Sequence, residues 1–315
     1  MAAVTIERLR LLLSVAANGT IARAAAEVGY TASAVSQQLA GFERELGTTL
    51  LERSNRGVTL TRAGERLRAR ASVILDLVQT ATVEATQAGP ELPPIALRIG
   101  AFPTAISGLV VPAMALLEPQ VQLTIVDLEP QHALMELASR RLDAALIDFY
   151  EGLEPLGHEG LHQVHLLTDV LRVVVRRDRR PPDSLTDLRG LPWILGGGRS
   201  RLGRAARMAL RAAGVTPQVL LESDDHWMTF DALQSLDAVA VLPELALRVA
   251  PDHVAAATRI DLACDRHIHL VTREVLRPHP GFALLETTLS RLSAEVGEHG
   301  PNQTSSARGG SCRTG

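Results

Sequence analysis

The stretch TIARAAAEVGYTASAVSQQLAGFEREL, residues 20–46, decides how the start of the chain is built. Ile21, Ala24, Ala25 and Val28 recur at helical spacing, Gly29 can take the left-handed conformation that ends a helix, and Thr31 can cap the next one. In that second helix Val35, Leu39, Phe42 and Leu46 share one face and leave Ser33, Ser36, Gln37, Ala40 and Arg44 pointing elsewhere. Just beyond, Leu50 to Arg53 and Val58 to Leu60 read as short strands bracketing Ser54, Asn55, Arg56 and Gly57, a turn with a guanidinium at its tip. Two helices, a tight turn and a small basic hairpin form a winged helix-turn-helix. The major groove of duplex DNA admits such a second helix and carries the donor and acceptor code, while an arginine on the wing follows phosphates or the minor groove. The candidate DNA contacts are Thr31, Ser33, Ser36, Gln37 and Gln38 on the helix, with Arg53 and Arg56 on the wing. A helix-turn-helix that only docks protein remains the alternative.

Outward from this core, Thr5 can cap a preceding helix with the stripe Ile6, Leu9, Leu13 and Ala16, ended by Asn18-Gly19. On the other side Thr61 can cap a long helix reaching about Gln87. Its residues Leu67, Ile74, Val78, Ala81 and Ala85 form an apolar stripe that needs a partner, either its own domain or a second helix. Gly89 to Pro94, with three prolines and a glycine, ends that helix. The pattern then changes to strands at Ile95 to Phe102, Val121 to Leu128 and Asp143 to Asp148, separated by helices at Ser107 to Leu117 and Gln131 to Arg141. Such alternation implies an α/β sheet. A second α/β lobe begins near His165, with strands at Val170 to Val175, Trp193 to Leu195, Gln218 to Glu222 and Ala238 to Leu242 and a helix at Arg201 to Ala213. His267 to Arg273 is strand-like again, and Gly281 to Val296 reads as an amphipathic closing helix that returns to the first lobe.

Composition agrees with a globular protein of two or three domains: 315 residues, 46% hydrophobic and 21% charged. Two cysteines, Cys264 and Cys312, make no disulfide framework and point to a reducing, cytoplasmic setting. Residues 1–70 hold ten arginines against six carboxylates, so the remainder of a chain of net charge −3 is acidic. There is no lysine, so phosphate contacts would come from guanidinium forks. The first eight residues lack the pattern of a signal peptide, and no apolar run is long enough to span a membrane.

The runs Ala24-Ala25-Ala26-Glu27, Ser33-Ala34-Val35-Ser36-Gln37-Gln38-Leu39, Phe42-Glu43, Leu46-Gly47, Leu50-Leu51-Glu52-Arg53 and Leu60-Thr61-Arg62-Ala63-Gly64 resemble the LysR-type transcriptional regulators. Asp187-Leu188, Pro192-Trp193-Ile194 and Ala240-Val241-Leu242-Pro243 are similar to the second lobe of that family's effector domain, so the resemblance covers residues 1 to about 295. It implies an α/β protein with an N-terminal winged helix-turn-helix, a long linker helix and a two-lobed periplasmic-binding-protein-like effector domain. It also implies pairing through the linker helix, at Leu67, Ile74, Val78 and Ala81, into a homodimer or homotetramer. The expected partition is 1–60 for the reader, 61–90 for the linker and 95–296 for the effector domain. Lobe I takes 95–161 and 268–296, lobe II takes 162–267, and 297–315 is a disordered tail. Two departures stand out: Ala32 replaces a frequent glutamine, and Leu236 and Ala238 stand where two glycines are common.

Open α/β sheets bind ligands beyond the carboxyl ends of their strands, which in a two-lobed domain face a shared cleft. That selects Phe102-Pro103-Thr104, Asp148-Phe149-Tyr150, Gly196-Gly197-Gly198-Arg199-Ser200 and Ser223-Asp224-Asp225-His226. The expected effector contacts are Phe102, Pro103, Thr104, Phe149, Gly198, Arg199, Ser200 and Asp224. The glycine run before a helix, with Arg199, suits an anionic small molecule; Asp224 and Asp225 would favour an amine. His158, His162 and His165 are spaced as zinc ligands on a helix would be, but Gly157 and Gly160 interrupt it, and neither a metal, a cofactor nor catalysis is expected. The reading that results is a sequence-specific DNA-binding regulator modulated by a small effector. The alternatives are a ligand-independent DNA-binding protein whose large domain only oligomerises, and a zinc hydrolase.

Overall fold

A computed structural model describes residues 4–54, 57–89, 92–157, 160–180 and 182–298. The expectations for Arg56, for His158 and for the tail from 299 onward fall outside these residues.

Three short helices open the chain, α1 (Ile6–Asn18), α2 (Ile21–Val28) and α3 (Ala32–Leu46), followed by the hairpin β1 (Leu51–Ser54) and β2 (Gly57–Leu60). Each helix is capped by a threonine hydroxyl that accepts a backbone N–H: Thr5 from Arg8, Thr20 from Arg23 and Thr31 from Ala34. Gly29 turns the chain between α2 and α3 at φ 72°, a region open to glycine at no steric cost. Leu12, Val15, Ala24, Val35, Leu39, Phe42 and Leu50 form the core. The buried face of α1 is Leu9, Leu11, Leu12 and Val15, whereas Leu13 and Ala16 are only partly covered. α1 packs against α2, α3 and α4 (Arg62–Gln87), which widens its buried face beyond one stripe.

α4 serves two cores and leaves one face open. Ala71, Leu75 and, in part, Leu67 pack into the helix-turn-helix core, so Leu67 does not share the situation expected for it with Ile74, Val78 and Ala81. Val73, Ile74, Leu77 and Val78 are 37–52% exposed. On the opposite side Asp76 is fully buried and accepts from Arg273 Nε at 3.0 Å and from Arg140 Nη1, which also donates to the Ser72 carbonyl at 2.8 Å. Gln79 adds a hydrogen bond to Asp143 at 3.3 Å.

The large domain contains β3 (Ile95–Ala101), α5 (Pro103–Ala105), α6 (Val111–Leu117), β4 (Val121–Asp127), α7 (Pro130–Ala138), β5 (Ala144–Tyr150) and β6 (Leu161–Arg176). It continues through β7 (Pro192–Leu195), α8 (Arg201–Ala212), β8 (Gln218–Glu222), α9 (His226–Ser235), β9 (Val239–Pro243), α10 (Glu244–Leu247), β10 (Val254–Ala256), β11 (Asp265–Arg273) and α11 (Pro280–Glu298). The strand order is β4-β3-β5-β11-β6-β9-β7-β8, with β10 also against β6. β3 pairs parallel with β4 and β5, and β7 parallel with β8 and β9; β6 and β11 run antiparallel to their neighbours.

The two lobes therefore share a strand. β6 pairs with β11 from Leu161 to Val170, inside the first lobe's sheet, and only from Leu171 onward with β9 and β10 of the second. The lobe border expected at 161/162 thus corresponds to the start of a strand that crosses later. His162 and His165 lie on β6, whose two-residue alternation cannot place them on one face as a helix would. The helix expected from Ser107 starts at Pro103 and passes through a π turn, Ile106–Val110, before α6. α11 returns to the first lobe, where Phe282, Leu285 and Leu289 join Ile95, Leu97 and Ile99 in the core. Among the described residues no helix is long and apolar enough to cross a membrane.

Candidate nucleic-acid interface and effector cleft

The outer face of α3 carries the expected polar set. Thr31, Ser33, Gln37 and Gln38 are exposed, with the Thr31 and Ser33 hydroxyls 3.1 Å apart. Ser36 is half-buried because Arg53 reaches from β1 and donates Nη2 to its hydroxyl at 2.9 Å. This bond ties the wing to the helix and commits part of both side chains to local structure. The wing is also held from below: the Val58 N–H donates to the Gly19 carbonyl at 2.8 Å. Tyr30, in the turn before α3, is 49% exposed, and nothing in its sequence spacing separates it from an ordinary turn residue.

The ends of β3, β4, β5 and β8 and the start of α8 converge on a cavity of about 20 Å³ between the lobes. Phe102, Pro103, Thr104, Glu129, Pro130 and Asp148 come from the first lobe; Arg201, Leu202 and Asp224 come from the second. Arg266 of β11 completes the wall. Lobe contact next to it includes Ser107 Oγ and His226 Nε2, 3.3 Å apart.

Arg266 is the structural pier. Only 1% exposed, it pairs with Asp169 through Nε at 3.1 Å and through Nη2, donates Nη1 to Thr104 Oγ1 at 2.9 Å, and lies 5.2 Å from the Phe102 ring centroid. Burial opposes its charge, but Asp169, Tyr150 and Asp148 outweigh that and hold the guanidinium protonated. Asp169 is in turn satisfied by the N–H groups of Leu245 and Val170 at 3.1 and 2.9 Å.

Arg201 is differently placed. It is 3% exposed, donates Nη1 to the Glu154 carbonyl at 3.1 Å and has Nε 3.5 Å from Asp148 Oδ1. Its Nε and Nη2, and Asp148 Oδ1, make no hydrogen bond among the described residues. Burial raises the Asp148 carboxyl, against the pull of Arg266 and Arg201. Glu129 is pushed up to about 7 by burial and by Asp224, Asp148 and Asp127, with Arg201 acting weakly the other way. Burial lowers His226.

Of the expected effector residues, Phe102, Pro103, Thr104 and Asp224 meet in this cavity and the others do not. Phe149 lies on the opposite face of β5 from Asp148, edge-on to His269 with ring centroids 5.0 Å apart. Gly198 and Arg199 are exposed, and Ser200 is the cap of α8, accepting from the Gly203 N–H at 3.0 Å. The anion cradle expected from the glycine loop is already filled from within: the Gly197 N–H donates to Asp224 at 3.0 Å and the Gly198 N–H to Glu222 at 3.1 Å. Arg201, Arg266, Glu129 and Asp169 were missed, because no local pattern distinguishes them from the chain's other charged residues. Among the described residues, no three side chains are grouped to hold a metal ion.

The description "Bacterial regulatory helix-turn-helix protein, lysR family" matches residues 6–65, and "LysR substrate binding domain" matches residues 93–292. The chain is similar to the HTH-type transcriptional regulator YofA of Bacillus subtilis, at 28% identity over 243 residues, 76% of this chain and 81% of that one. It is also similar to the small neutral protease regulatory protein of Streptomyces coelicolor, at 30% identity over 242 residues, 74% and 75% of the two chains. In fold it resembles full-length OxyR from Pseudomonas aeruginosa, with a TM-score of 0.65 at 23% identity over 91% of this chain and 97% of that one. It resembles CbnR complexed with its target DNA with a TM-score of 0.52 at 20% identity over 92% and 99%.

Proposed function

The chain belongs to the LysR family of bacterial transcriptional regulators, with a helix-turn-helix DNA-binding domain and an effector-binding domain, and from that premise we propose which residues read DNA, which receive the effector and which join two copies. α3 enters the major groove with Ser33, Gln37 and Gln38 toward base edges and Thr31 at the helix start toward phosphate, while Arg53 holds the wing and Ser36 in register. The effector occupies the cleft between the lobes and presents an anionic group to Arg201. The observation that carries this is the guanidinium of Arg201, buried at the cavity wall with Nε held only at 3.5 Å from Asp148 and Nη2 without a hydrogen bond among the described residues, an arrangement that costs free energy unless a ligand completes it. The open apolar face of α4, at Ile74, Leu77 and Val78, pairs with the same face of a second copy.

Duplexes selected by the full-length protein from a randomised pool supply the cognate site. Gln37→Ala then weakens binding to that duplex by about 1–3 kcal/mol, and to random duplex by less, in fluorescence anisotropy. Equal losses on both would remove Gln37 from base readout.

A further inference from the structure

We infer that the effector is a small amino carboxylate, its carboxylate held by Arg201 and its ammonium held between Glu129 of one lobe and Asp224 of the other. The inference rests on the cleft reading above and adds the charge pattern of the ligand. Among the lining groups, Arg266 is matched by Asp169 and so has no charge to offer. Arg201 donates Nη1 to the Glu154 carbonyl at 3.1 Å and has Asp148 at 3.5 Å from Nε, but among the described residues its Nε and Nη2 make no hydrogen bond. An anionic group is the partner such a buried fork requires.

The rest of the cleft asks for the opposite sign. Glu129, just after β4, and Asp224, just after β8, line the same cavity from the two lobes; burial and then Asp224 raise the Glu129 carboxyl, and burial and then Asp225 raise that of Asp127. Like charges on two lobes repel when the lobes meet, and a buried carboxylate without a cation is costly. Burial first, then Asp224, Asp148 and Asp127, push the Glu129 carboxyl up to about 7. A ligand ammonium between Glu129 and Asp224 supplies the missing charge and bridges the two lobes. A bare metal cation would leave Arg201 unanswered, and a simple carboxylate would leave Glu129 and Asp224 unanswered; a zwitterion answers both. The cavity of about 20 Å³ has room for roughly one water, so the lobes part to admit the ligand. Binding then reports on the lobe arrangement, as a signal must.

The test uses the full-length chain and three sets of probes in calorimetry: L-amino acids with β-alanine and γ-aminobutyrate, the corresponding carboxylic acids without the amino group, and the corresponding amines without the carboxylate. We expect at least one amino carboxylate to bind roughly 10- to 100-fold more tightly than either one-charge relative, with that advantage lost in Glu129→Gln and binding lost in Arg201→Met. Circular dichroism and DNA binding establish that each variant is folded, and Asp224→Asn provides a second removal of charge at the ammonium end. A carboxylate or amine binding as tightly as its amino-carboxylate parent, with loss in Arg201→Met, overturns the zwitterion and keeps the cleft. Binding undiminished in both Arg201→Met and Glu129→Gln places the ligand elsewhere and overturns both readings. A panel that binds nothing overturns the amino-carboxylate assignment and leaves the cleft to other chemistry.

Discussion

Replacing Asp76 by Asn tests how the linker helix is fastened to the effector domain. The Asp76 carboxylate is 0% exposed and faces two guanidiniums, Arg273 at 3.0 Å and Arg140, whose side chains are 8% and 16% exposed. Removing one member of a buried pair leaves uncompensated charge and costs about 3–5 kcal/mol. Here the lower end applies, because Arg273 keeps its hydrogen bonds to the Leu137 and Leu142 carbonyls, both at 2.7 Å, and Arg140 keeps Ser72. At 2–4 °C per kcal/mol for a domain of this size, a loss of about 3 kcal/mol lowers the melting temperature of the linked unit by roughly 6–12 °C. Arg140→Gly is the informative companion. Arg140 sits at φ 65°, so glycine relieves a backbone cost of about 1–2 kcal/mol while losing the same pair. Its net effect is smaller, and the double variant loses less than the two single losses added. Differential scanning calorimetry of wild type and the three variants decides it. A shift under about 2 °C for Asp76→Asn would place the pair with ordinary surface ion pairs and refute the buried clamp.

Ile74→Asp puts a charge on the open apolar face of α4 and is expected to halve the mass seen by light scattering; an unchanged mass with intact helicity rules that face out as the main contact. Gly64→Ala is expected to destabilise the DNA-binding domain despite alanine's better helix propensity, because the added Cβ would fall 2.2 Å from the Leu50 carbonyl oxygen. Thermal melts at equal or higher temperature than wild type would show that the contact gives way. Glu129 carries a folded value near 7 against an ordinary 4.5, so its contribution is fully present below about 4.5 and is lost as pH rises through 7. Glu129→Gln escapes that loss, and its melting temperature relative to wild type should rise between pH 5 and pH 8; a constant difference would mean the carboxyl is not perturbed.

The residues that build the DNA-binding domain act over three or four positions, and they were legible as such. Thr5, Thr31 and Thr61 cap helices within one turn, Gly29 turns the chain between two residues, and Val35, Leu39 and Phe42 meet the core by helical period alone. The alternation of strands and helices likewise set the α/β class and the order of elements, although Leu67, with an identical spacing signal, joined the core while Ile74 and Val78 stayed open. The cleft obeyed no local rule. Arg266 meets Asp169 across 97 positions and Thr104 across 162, and Glu129 owes its state to burial, to Asp224 in the loop after β8 and to Asp148 on β5. The glycine loop shows the same limit from the other side: its sequence promises free amides for an anion, and the fold brings Asp224 and Glu222 from β8 and its following loop to occupy them. Periodicity and capping are set by neighbours along the chain, whereas the charge of a buried site is the sum of groups that only the packed lobes bring within a few ångströms, where the low dielectric makes each of them count.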